Sequence, residues 1–76
     1  MNTININDFD TVIQKTVKEL EKKHKCLIFL LTDGDYLYMS IFYMAGYGVK
    51  DIKICAGIAN KYTMAAAIRN YFRGGR

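Results

Sequence analysis

Proline and tryptophan are absent from this 76-residue chain. Without proline there is no polyproline segment and no stiffened linker, so glycine, asparagine and aspartate must make the bends. Histidine occurs once, at His24, and cysteine twice, at Cys26 and Cys55. Neither a metal knuckle nor a redox pair has that cysteine spacing. Two buried free thiols are expected, with a single Cys26–Cys55 disulfide as the alternative for a secreted chain. Glutamate is confined to Glu19 and Glu21, both on the expected solvent side of a helix. One histidine and two such glutamates are too few for an acid–base or zinc constellation. No catalytic residue, metal site or cofactor is therefore expected, and the chain reads as a non-enzyme.

Long apolar runs are missing too. The longest stretch free of charge, from Tyr36 to Val49, is too short to cross a bilayer as a helix and contains glycines and tyrosines. The opening residues, Met1 to Asp10, are polar and acidic and lack the basic and apolar regions of a signal peptide. No membrane partner is expected, and the location is read as cytoplasmic. Repeats and low-complexity segments are lacking as well. The length suits one domain, 1–76, with 1–6 and 74–76 as flexible or arm-like ends, 1–6 being also able to add a short edge strand. The formal charge of +4 is a mild bias, compatible with nucleic acid without pointing to it.

What the chain has in abundance is apolar and aromatic residues in strand-like runs. Cys26 to Thr32 and Asp35 to Met44 flank Asp33-Gly34, a strong two-residue hairpin signal. The expected pairs are Leu31 with Tyr36, Leu30 with Leu37, Phe29 with Tyr38, Ile28 with Met39 and Cys26 with Ile41. Opposed residues share a face. One face is then aliphatic: Cys26, Ile28, Leu30, Leu37, Met39 and Ile41. The other is aromatic with polar tips: Phe29, Leu31, Tyr36, Tyr38 and Phe42. A surface hairpin alternates apolar with polar, whereas both faces here require cover.

Ahead of the hairpin, Phe9, Val12, Ile13, Thr16, Val17, Leu20 and His24 recur at the spacing of one buried helical stripe. Asn7 or Asp8 is the expected N-cap, and the basic end Lys22 to Lys25 suits the negative end of the helix dipole. Beyond the hairpin, Val49 to Asn60 fits two patterns. As a helix it buries Val49, Ile52, Cys55, Ala56 and Ala59; as a strand it buries Ile52, Ile54, Ala56 and Ile58. The helix leaves Lys50, Asp51 and Lys53 outside and is the reading preferred. A last helix carries Met64, Ala65, Ile68, Tyr71 and Phe72, with Thr63 as the expected cap.

The fold class is therefore α+β: an N-terminal helix, a central antiparallel hairpin and one or two C-terminal helices, with αβββα as the alternative. In that alternative, the element order would be similar to a double-stranded-RNA-binding domain. That family sets several lysines at the start of the last helix, against phosphates, where this chain has only Lys61.

Helices of one main stripe each supply about one layer of cover, so the aromatic face Phe29, Leu31, Tyr36, Tyr38 and Phe42 is expected to be an oligomer interface. The functional expectation is a small non-catalytic binding protein that associates with itself and with a further protein or nucleic acid. Short stand-alone chains of this kind are common among the accessory and inhibitor proteins of phages and mobile elements. The alternative is a nucleotide or other anion held at Gly46-Tyr47-Gly48. There two glycines, a following helix N-terminus, Lys50 and Lys53 would form the cradle.

Overall fold

The computed structural model of the chain describes residues 2–4, 10–56 and 61–75. The elements are β1 (Asn2–Ile4), α1 (Thr11–His24), β2 (Cys26–Asp33), β3 (Tyr36–Tyr43), β4 (Gly48–Ala56) and α2 (Lys61–Asn70). A widened last turn, Tyr71–Gly75, follows α2 and ends in Gly74 at φ 90°. The strands form one antiparallel sheet in the order β1-β2-β3-β4. The class is α+β, in the form with a strand after the hairpin.

α1 begins one turn later than the expected caps. Asp10 is the N-cap, and its Oδ1 accepts the Val12 N–H at 3.0 Å. Asn7, Asp8 and Phe9 lie outside the described residues. Ile13, Thr16 and Val17 are buried, and Leu20 is partly buried at the rim of the core. The helix stops at Lys25, which takes a left-handed φ of 52° and leads directly into β2. Glu21 does not belong to the solvent face expected for it. Its Oε2 accepts the Ile28 N–H at 2.8 Å. Among the described residues β1 reaches Leu30 on β2, and no strand residue there pairs with Ile28 on that side. The carboxylate satisfies the donor instead.

The hairpin turn is Gly34-Asp35, not Asp33-Gly34, and Asp33 extends β2 to pair with Tyr36. Only Gly34 of the two central residues has positive φ, at 62°. That is the pattern of a type II′ turn, which confines the strained conformation to glycine. The register moves by two: Leu30 pairs with Met39, Ile28 with Ile41, and Leu31 with Tyr38. A shift of two keeps every residue on its face. Cys26, Ile28, Leu30, Leu37, Met39 and Ile41 accordingly form the buried face, under Ile13 and Val17 from α1 and Met64 and Ile68 from α2.

The preferred helix over 49–59 is not formed; β4 occupies Gly48–Ala56. Two bulges explain the misleading pattern. Along β3, Ile41, Met39 and Leu37 pair with Val49, Ile52 and Cys55. Each β4 step of three residues answers a β3 step of two. Bulges thus give a strand the three-residue spacing of a helix. At the first bulge, Asp51 adopts φ 53° and its N–H donates to Ser40 Oγ at 3.0 Å. Cys26 pairs with Tyr43 and Cys55 with Leu37, positions six residues apart on β3 and so about 20 Å distant, which excludes a disulfide.

α1 and α2 lie side by side on the buried face and run in the same direction. Their beginnings are joined by Lys61 Nζ and Asp10 Oδ2 at 3.3 Å. Their ends meet where His24 stacks on Phe72, with ring centroids 4.6 Å apart. α2 starts at Lys61, so Thr63 stands inside its first turn and is not the cap. Met64, Ala65 and Ile68 are buried, with Tyr71 and Phe72 partly so.

Candidate functional site

Both helices use their apolar stripes on the aliphatic side of the sheet. The opposite side is left open. Leu27, Phe29, Tyr36 and Phe42 are 46, 44, 41 and 39% exposed. Leu31 and Tyr38 lie between them, half-buried. The strand pleat places all six on one face: Leu27 pairs with Phe42, Leu31 with Tyr38 and Asp33 with Tyr36. The residues expected at an interface are thus gathered in one patch, and Leu27 belongs with them.

The patch is organised internally. Phe29 and Phe42 meet edge to face at 5.7 Å, and Tyr36 and Tyr38 lie tilted at 6.4 Å. Lys53 Nζ sits 4.4 Å from the centre of the Tyr36 ring. Ser40, also on this face by register, is buried and turned toward the β4 bulge. Outside the Lys50-Asp51 bulge, the charged residues that the register puts on this face are Asp33 and Lys53, one of each sign.

The anion site expected at Gly46, Gly48, Lys50 and Lys53 loses its main physical premise. No helix follows the loop, so no N-terminal N–H groups converge there. Met44-Ala45-Gly46 is a hairpin loop in which the Gly46 N–H donates to Tyr43 O at 3.0 Å and the Tyr43 N–H to Tyr47 O at 2.7 Å. Gly46 has φ 104°, the position of glycine in a three-residue hairpin loop. Gly48 answers a different need. A Cβ there would lie 2.6 Å from Ile41 O and 3.1 Å from the Phe42 ring. The glycine lets that ring lean over β4. Lys50 and Lys53 are exposed, and Lys53 is directed to Tyr36.

Burial pushes the Cys26 thiol up, helped by the nearby Glu21 carboxylate. Burial likewise raises Tyr43, with Cys26, Tyr71 and Tyr47 adding to the shift. Tyr43 stacks on Tyr47 at 4.7 Å. Among the described residues no group of three or more His, Cys, Asp or Glu converges as metal ligands, and no helix is long and apolar enough to cross a membrane.

A concavity lies on the helix side. It is a cleft of about 340 Å³ lined by Glu19, Leu20, Lys23, Arg69, Phe72 and Arg73. Sequence reasoning did not find it. Its residues come from two helices far apart in the chain: Glu19, Lys23, Arg69 and Arg73 read alone as solvated helix faces, and Leu20 and Phe72 as parts of buried stripes. Comparison of the chain with protein-family models, curated proteins and solved structures gives no match.

Proposed function

We propose that this is a non-catalytic binding protein that pairs with a second copy of itself through the open sheet face, the assembly then engaging a further macromolecule in an accessory or inhibitory role. The observation that carries the reading is the exposure of Leu27, Phe29, Tyr36 and Phe42 together on one side of the sheet. Contiguous apolar surface of this kind on a small protein marks an interaction site. Its near-neutrality favours a like surface over nucleic acid. A base-stacking platform is ringed by cations, while Lys53 on this face is already directed to Tyr36. Tyrosine suits the role, since the ring buries area and the hydroxyl stays at a wet rim.

Pairing by faces is favoured over pairing by edges. β1 is three residues long, and β4 carries two bulges with Lys50, Asp51 and Lys53. Short, bulged and charged edges are the usual devices against edge extension. A standard interface buries about 800 Å² per partner, so the patch would form its apolar centre within a polar rim.

Size-exclusion chromatography with light scattering tests the proposal, with absorbance at 260 and 280 nm recorded on the same peak. The expected result is a dimer free of nucleic acid that Phe29→Asp converts to a folded monomer, while Lys18→Asp on the solvent side of α1 does not. A wild-type chain that remains monomeric at high micromolar concentration overturns it.

A further inference from the structure

We propose that the cleft between the ends of α1 and α2 binds a small ligand combining a phosphate with a planar ring, in chemical class a mononucleotide. The cleft is built from two short spans, one near the end of α1 and one across the end of α2. Glu19, Leu20 and Lys23 come from α1; Arg69, Phe72 and Arg73 come from α2 and its last turn. On α1 the i, i+4 spacing sets Glu19 and Lys23 on one helix face. Because the helices run in the same direction, both ends reach the same place.

Three cations and one carboxylate line the cleft, an excess of two positive charges. Lys23, Arg69 and Arg73 have no ion-pair partner among the described residues. Arg69 at the end of α2 and Arg73 in the widened turn that follows are like charges lining the same cleft. Glu21, the other glutamate of α1, accepts the Ile28 N–H. Two guanidinium groups present planar forks that match phosphate oxygens two at a time, and the lysine adds a point charge.

The apolar wall selects the rest of the ligand. Leu20 and Phe72 are partly buried against the core. Phe72 is braced by His24, stacked at 25°, and by Tyr71, edge-on at 5.6 Å. A fixed aromatic wall beside a cluster of cations suits a flat base with its phosphate to one side. The volume of about 340 Å³ lies at the lower end of small-molecule pockets, the size range of one nucleotide and not of a dinucleotide. The cleft is on the helix side of the sheet, away from the aromatic patch, so ligand binding and self-association are independent.

Isothermal titration calorimetry with adenosine 5′-monophosphate tests the proposal, with adenosine and inorganic phosphate as the two partial probes. Saturable binding is expected for the monophosphate, with both partial probes weaker by about tenfold or more. Arg69→Gln combined with Arg73→Gln, both exposed, should weaken it by about tenfold or more while the circular dichroism spectrum is unchanged. Lys15→Gln, which removes an α1 charge outside the cleft, should leave the affinity as it was. Phe29→Asp should leave it unchanged too, which separates this site from the dimer face. Undetectable binding at millimolar monophosphate, or binding indifferent to the two arginines, overturns the proposal. Phosphate binding as tightly as the nucleotide overturns the planar half, and adenosine doing so overturns the anionic half.

Discussion

The two faces of the β2–β3 hairpin come from the same two strands, yet their environments are opposite. One face is aliphatic and buried under α1 and α2; the other is aromatic and open. Residue size does not separate them, since Phe29 and Tyr36 are larger than the Ile28 and Leu37 beside them. The number of helices does. Each helix has one apolar stripe, and both stripes are used on the same side. In so short a chain the helical content suffices for one layer, and the aromatic face keeps its exposure.

The contrast breaks most sharply by truncation. Met39→Ala or Leu37→Ala removes side chains with no exposed surface and should cost about 2–5 kcal/mol in urea unfolding. Phe29→Ala on the open face should cost below about 1 kcal/mol in a dilute monomer while abolishing its assembly. Equal losses at Met39 and Phe29 would show that the aromatic face is covered within the chain.

Ser40 joins the patch to the β4 bulge, and its removal has an intermediate effect. Ser40→Ala leaves the Asp51 N–H without its acceptor and should cost about 1–2 kcal/mol in thermal unfolding. A smaller change is expected at the bulge itself. Asp51 holds φ 53°, where glycine meets no Cβ penalty. Asp51→Gly should therefore leave stability unchanged or raise it by up to about 1 kcal/mol. A clear loss would mean that the Asp51 side chain supports the bulge in some other way.

The smallest effect belongs to the helix layer. The Val12 N–H, and behind it Lys61, hold the Asp10 carboxyl below its ordinary value. A group so lowered contributes stability above its unfolded pKa and loses it as the pH falls through the folded one. The melting temperature should thus drop on acidification below about pH 4, near the carboxylate reference value, and Asp10→Ala should flatten that drop. An unaltered acid profile in Asp10→Ala would remove the cap from the account.

Much of the architecture was legible in local pattern. The stripes Ile13-Thr16-Val17 and Met64-Ala65-Ile68 repeat at helical spacing, and the helices follow. The two hairpin faces are legible because side chains alternate whatever the register. Hence a shift of two residues at Gly34 left Phe29, Leu31, Tyr36, Tyr38 and Phe42 on one face. Val49, Ile52 and Cys55 misled because two bulges convert a strand's spacing of two into three. The glycines of the 46–48 loop were legible as a turn, but their anion-binding role depended on a helix that does not form. Glu21 looked like a solvent residue because the donor it satisfies belongs to another strand.

Composition and period alone thus determined an α+β chain with two helical stripes and a hairpin apolar on both sides. The tertiary structure decided which side the helices cover, that Gly48–Ala56 pairs as a bulged strand, and that Arg69 and Arg73 come beside Lys23. The division has one physical cause. Helical stripes and strand alternation are properties of neighbouring residues. A bulge, an edge and a cleft arise only when distant segments compete for the same hydrogen bonds and the same apolar surface.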